Sequence, residues 1–380
     1  MEWIYYADAG EQDPDPEEPL PEVASVNTAS LWNEACADAL ASACSWLRNY
    51  GERNTRFIGL GAAGVSVEYQ EIDALVRSVL AEQAYEDAAA VAADILAVTF
   101  CGIYAGNVSG ANLLTTLSNY PDISRGGSYG AILALLAADS NGYSLPSDGI
   151  NTRSTLRTVI LNAQTEDGGF SSSQEEESSP YLTACALTAL SRYSSYEEIR
   201  QAIQEGFAYL SSEQLASGGF TGTEDVSSAR TTGAVLTALC AAGISPDSSE
   251  FTKAGGNPLD ALLAYHTEVG GFAAELDGVP EEQATQQAAI ALVSVKGSRS
   301  GYVLRTAIQA QDADPSEFSP EEAASSAGES GDDTPEETIK RKNILFGGVG
   351  LTIGIALGGL MLVIVLLATR RSKKEDSHEN

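Results

Sequence analysis

The chain has 380 residues, with 53 Asp and Glu against 21 Lys and Arg, and a formal net charge of −32. Residues 31–311 alone keep 32 acids against 14 bases, a net of −18, so the central part repels nucleic acid and anionic lipid surfaces. Five cysteines are too few for a disulfide-built scaffold. Two histidines, His266 and His378, with no cysteine pair at ligand spacing, supply no zinc set; no metal and no cofactor is expected.

Residues 1–30 hold 8 acids and no base and read as a disordered acidic leader. Helical periodicity then recurs as six pairs. They are Trp32–Leu47 with Phe57–Ala63, Ile72–Leu80 with Ala88–Phe100, Ala111–Leu117 with Tyr129–Ala138, Ser154–Leu161 with Tyr181–Leu190, Ile199–Leu210 with Thr231–Leu239, and Leu259–Tyr265 with Gln283–Val295. The second member of each pair is small and apolar, often alanine-rich, and strand signals are weak. An all-α domain over 31–311 follows, an (α/α)6 toroid of six helix hairpins with the second members as its inner barrel. Closure removes the end faces that an open solenoid must cap.

Residues 312–343 form an acidic stalk, with 10 acids and no base over 312–339, ending in the basic flank Lys340, Arg341 and Lys342. Ile344–Ala368 is 25 residues without a charge, long enough for one C-terminal transmembrane helix. Basic residues flank both ends, three before and four after, so the positive-inside rule leans slightly toward a cytoplasmic tail at 369–380. Gly350, Gly354 and Gly358 line one face of the span and would let two spans pack as a homodimer. The N-terminal residues carry neither a basic region nor a long apolar run, so no secretory signal is visible. Export then requires a start upstream of the given one; the other arrangement is a tail anchor with the bulk in the cytoplasm. The stalk and anchor favour a bacterial cell-surface protein with its bulk outside.

Gly-Gly-Phe occurs at Gly168–Phe170, Gly218–Phe220 and Gly270–Phe272, at intervals of 50 and 52 residues. Before each stands a fixed set: Ile160-Leu161 then Gln164; Tyr209-Leu210 then Gln214; and, in the third copy, His266 in the glutamine's place. The first glycine supplies the positive φ of a sharp turn, and the amide can satisfy orphan backbone groups around it. His266 reads as a replacement for that amide. This pattern resembles the QW-type repeat of terpene cyclases and protein prenyltransferases, the α/α-toroid superfamily, over roughly residues 31–300.

The resemblance implies isoprenoid chemistry, but the motifs that carry it are missing. No Asp-x-Asp-Asp run is present to hold the neutral acid of a protonating cyclase. Zinc prenyltransferases pair Asp-x-Cys with a distant His; here Thr183 stands at the Asp place before Cys185, and Ala238 before Cys240. The cobalamin carriers of this fold need a second, β-rich domain, for which no segment is present. Activity is therefore left open and leans against an enzyme, with no catalytic residue assigned. The starts of the inner helices converge at one mouth, where Tyr129, Tyr181, Arg230, Gln286 and Gln287 are the candidate ligand-binding residues. The loops there carry Glu175–Glu177, Glu224, Asp225, Glu281 and Glu282, which read as helix caps or as a site for a cationic ligand. The leading reading is a membrane-anchored, non-catalytic surface module binding a small ligand or a surface protein; the alternative is a cyclase or prenyltransferase acting on isoprenoids.

Overall fold

The computed structural model describes residues 24–309 apart from 83, 126, 174–175 and 223–225. The leader before residue 24, the stalk, the span with Gly350, Gly354 and Gly358, and the tail lie outside the described residues. So do Glu175, Glu224 and Asp225. Twelve α-helices run through the described part: α1 Glu34–Tyr50, α2 Arg53–Ala62, α3 Tyr69–Ala81, α4 Ala88–Phe100, α5 Leu113–Ser118, α6 Tyr129–Ser140, α7 Arg153–Leu161, α8 Pro180–Leu190, α9 Glu197–Glu213, α10 Ala229–Ala242, α11 Pro258–Leu263 and α12 Glu282–Gly297. Isolated bridges occur among these residues, but no strand. No described helix is long and apolar enough to cross a membrane.

Side-chain acceptors fix the helix starts. Asn33, Asp87, Ser179, Ser228 and Glu281 each accept a backbone N–H from the first turn of the helix that follows, satisfying donors that the helix leaves open. Glu281, one of the acids expected at the mouth, is thus a cap. The even-numbered helices are buried nearly all round, as Ile95–Phe100 of α4 and Thr231–Ala241 of α10 illustrate. A helix without a polar face belongs inside. The odd-numbered helices α1, α3, α7 and α9 are amphipathic; α3 buries Leu75, Val76 and Val79 and leaves the rest toward solvent.

The even helices pack in the order α2, α4, α6, α8, α10, α12, and α12 returns to α2. The ring is closed, as the small second members predict. The pairing of outer helices needs a correction, however. α5 packs on α4, α7 on α6, α9 on α8 and α11 on α10, each on the inner helix that precedes it, and α1 packs on α12 as well as α2. Outer helices α1, α5, α7, α9 and α11 therefore tie one repeat to the previous one, whereas α3 rests on α4, its own partner in sequence.

The seam is held at both ends. Glu282 of α12 accepts from the Glu52 N–H and the Thr55 hydroxyl at the start of α2. At the other end of α12, Val26 N–H donates to Ser298 O (2.9 Å) and the Thr28 hydroxyl donates to Val295 O (2.5 Å). Thr28 is fully buried. The packed domain thus reaches back into residues expected to belong to the acidic leader, and its boundary at 31 moves to about Val26.

The three repeat turns share one clamp. Gly168, Gly218 and Gly270 have φ of 86°, 90° and 88°, which only glycine adopts freely. Gln164 Nε2 donates to Gly168 O and to Ala202 O of α9, both at 3.0 Å. Gln214 Nε2 donates to Gly218 O and to Phe251 O, both at 2.8 Å. One amide thus closes its own turn and grips the next repeat. The phenylalanines Phe170, Phe220 and Phe272 are fully buried. Their N–H groups donate to Thr183, Thr232 and Thr285 of the following inner helix. Thr183, which stands where the zinc family has Asp, therefore has a structural duty.

The third turn lies against α1, with Gly270 facing Ser42. There His266 stacks beside Phe272 (ring centroids 5.4 Å apart), and its Nε2 is buried without a hydrogen-bond partner. Gly270 O is served by the Thr267 hydroxyl instead (2.8 Å). Burial holds His266 below its ordinary value of 6.5, against the opposing pull of Asp38. The native ring therefore stays neutral where the unfolded one takes up a proton, so its contribution is present above pH ~6.5 and is lost as pH falls toward the native value. His266→Gln should raise stability by about 1 kcal/mol near neutral pH, and by more at pH 5.5 than at pH 7.5, measured by denaturant unfolding. A loss of stability, or a gain that shrinks on acidification, would contradict this account.

Candidate functional site

Because every inner helix runs the same way through the ring, their first turns gather at one mouth and their last turns at a floor. Tyr129, Tyr181 and Arg230 begin α6, α8 and α10, three consecutive members of the ring. The rings of Tyr129 and Tyr181 lie 6.3 Å apart at 37°. The Arg230 guanidinium sits 4.1 Å from the Tyr181 ring centroid, and its Nη2 donates to the Tyr181 hydroxyl at 2.8 Å. The structure thus brings three of the five sequence candidates into direct contact. All three are half-buried, as is Cys185 one turn beyond Tyr181.

Gln287 of α12 is buried; its Nε2 donates to the Thr237 hydroxyl and its Oε1 accepts from the Tyr302 hydroxyl, each at 3.3 Å. Gln286 is half-buried beside Gly59 of α2, at the joint that closes the ring. Tyr302 was invisible to sequence reasoning: it follows the last helix, where no periodicity guides assignment. It packs against the core of the ring and bonds to Gln287, with Cys185, Tyr129 and Arg230 as its electrostatic neighbours.

Among the described residues in the first turns of α6, α8 and α10, Arg230 is the one charged side chain. Burial pushes the Tyr181 and Tyr302 phenols well above their usual value, and Tyr129 upward, with Cys185 adding to the rise in each case. Burial likewise raises the Cys185 thiol to about 11. The tyrosines and the thiol are therefore neutral at physiological pH, and among the described residues no carboxylate lies within ion-pair distance of Arg230. A cation flanked by helix N-termini and set on an aromatic face favours an anionic ligand. Beside the start of α8, Glu176 and Glu177 line a cavity with Glu166, Asp167 and Glu213, so acids also remain in the described part of these loops.

Among the described residues two carboxylates are buried, and both lie in helix joints. Asp94 of α4 accepts from Arg53, Asn54 (2.8 Å) and Tyr85 (3.0 Å). Asp139 of α6 accepts from Arg153 Nε and the Tyr193 hydroxyl, both at 2.9 Å. Each is paired with an arginine from another helix, Asp94 with Arg53 of α2 and Asp139 with Arg153 of α7. Among the described residues no group of three His, Cys, Asp or Glu side chains could hold a metal ion. All five cysteines are free, with Cys36, Cys44 and Cys240 buried.

Residues 128–227, from the start of α6 to the turn before α10, match the family described as the prenyltransferase alpha-alpha toroid domain. The resemblance read from the repeat is thereby shown. No curated protein matches the chain. Among solved structures, Candida albicans protein geranylgeranyltransferase-I complexed with GGPP is 14% identical over 70% of this chain and 85% of that one, with a TM-score of 0.43. The type II terpene cyclase MstE from Scytonema is 12% identical over 70% of this chain and 99% of that one, with a TM-score of 0.49. The ent-copalyl diphosphate synthase from Streptomyces platensis is 17% identical over 67% of this chain and 50% of that one, with a TM-score of 0.45.

Proposed function

We propose that this protein is a membrane-anchored, non-catalytic toroid that binds a small anionic ligand at the mouth of its inner ring. The observation that carries this reading is Arg230, half-buried on the face of Tyr181 without a carboxylate counterpart among the described residues. A ligand with an anionic head and an apolar or aromatic body would satisfy both parts of the site. Against catalysis stand the engagement of Asp94 and Asp139 with arginines and the structural duty of Thr183. The anchor is carried by the sequence: the uncharged Ile344–Ala368 run and the acidic stalk before it support display of the domain on a cell surface, with Gly350, Gly354 and Gly358 as the dimer contact.

The second reading, an enzyme acting on isoprenoids, draws on the family match and on the diphosphate that an arginine site would suit. A fold hosts many activities, so the match alone does not choose between them.

Two measurements test the proposal. Phenyl phosphate should bind the full-length protein, and Arg230→Met should weaken it at least tenfold, about 1.4 kcal/mol, with the melting temperature little changed; equal affinity would defeat the site. Geranylgeranyl diphosphate should be recovered intact after incubation. A released product, lost on substituting an Asp or Glu, would instead establish the enzyme. For the anchor, the protein should stay with membranes through alkaline carbonate washing and lose that property when 344–368 are deleted; release of the intact chain would refute it.

A further inference from the structure

The segment after α12 crosses the floor of the ring. α12 ends at Ser298 in the left-handed region (φ 59°), and residues 299–309 continue without helix or strand. They reach the end of α6, which stands opposite α12 in the six-membered ring. Leu304 N–H donates to Ser140 O at 2.8 Å, Ile308 N–H donates to Asn141 Oδ1 at 2.7 Å, and Asn141 Nδ2 donates back to Ile308 O at 3.0 Å. Near α12, Gly301 N–H donates to the Ser294 hydroxyl at 2.9 Å. This strap is thus pinned at its two ends.

Between the pins, Tyr302 makes the strap's side-chain hydrogen bond to the barrel wall, through its hydroxyl to Gln287 Oε1. At 3.3 Å this bond is long for an O–H donor. The hydroxyl thereby stands at the level of Gln287 of α12 and its partner Thr237 of α10, two turns beyond Arg230, and the phenol ring packs against the core of the ring. Arg299 and Arg305 on the strap repel one another and Arg192 at the end of α8; burial and these two arginines hold the Arg299 guanidinium below its usual value. The strap is therefore joined to the wall at Tyr302 by one long side-chain bond and carries like charges, while the ring around it is closed.

We infer that Tyr302 is an internal ligand of the lumen: the strap holds its phenol where the body of an aromatic anion would lie, and binding of that anion at Arg230 displaces Tyr302 and loosens the strap. The inference rests on the reading of the mouth as a binding site. Its consequence is that occupancy of the ring is transmitted to the chain that leaves it at residue 309.

Trypsin reads this directly, because Arg305 is an exposed cleavage site within the strap. In the full-length protein, saturating phenyl phosphate should raise the initial rate of cleavage after Arg305 at least fivefold. Tyr302→Ala should show that raised rate without the probe and should bind phenyl phosphate at least tenfold more tightly. Tyr302→Phe, which keeps the ring and loses the bond to Gln287, should fall between the two and serves if the alanine variant does not fold. Arg230-dependent binding with an unchanged or slowed cleavage after Arg305 would overturn the strap inference and leave the binding site standing. Failure of wild type and Tyr302→Ala alike to bind in an Arg230-dependent way would overturn both.

Discussion

The contact on which the rest depends is the return of α12 to α2. Every other inner contact joins neighbours in sequence order; this one joins the two ends of the domain. Glu282 fastens it at the mouth by accepting from the start of α2, and at the floor Thr28 ties the segment before α1 to the last turn of α12. α1 then lies over the joint, packing on both α12 and α2. Without closure, the apolar face of α2 (Phe57, Ile58 and Leu60) and the alanine-rich face of α12 would both meet water, and a stack of repeats needs a cap over each such face.

Closure also determines what the lumen can be. Small side chains in the middle of the inner helices let six of them meet around one axis. Larger ones are tolerated at the two openings, where the helices have room, and there the tyrosines, Arg230 and the Tyr302 strap are found. The buried carboxylates sit in the walls, where they join helices: Asp94 ties α4 to the start of α2, and Asp139 ties the end of α6 to Arg153 of α7. A buried ion pair of this sort is costly to break, so these acids are committed to architecture. Among the described residues in the first turns of α6, α8 and α10, Arg230 is the charge without an ion-pair partner.

Much of the fold was legible because its signals are local. Gly-Gly-Phe at steady spacing, an amide four residues before the first glycine, and runs of small apolar residues each follow from backbone geometry over a few residues. The helix bounds came out close for the same reason. Which inner helix an outer one rests on was not legible, since the order along the chain is identical for either packing. Three of the candidate site residues met because they occupy equivalent first-turn positions on consecutive inner helices. Tyr302 and Thr28 were missed because each acts from an irregular segment, and Glu282 was noticed only as one acid among several at the mouth. His266 shows a further limit: the sequence identified it as a stand-in for glutamine, but its unpartnered Nε2 emerges only when the third turn is seen against α1.

Hydrogen exchange of the full-length protein, read by mass spectrometry, addresses closure most directly. In a closed ring the seam helices have no free end to fray, and local opening is limited by the cooperative unit to which a helix belongs. The account predicts that α2 and α12 exchange as slowly as α6 and α8, and that all six inner helices lose protection together as denaturant is raised. Fast exchange confined to α1, α2 and α12, with α6 and α8 still protected, would show an open stack and contradict it.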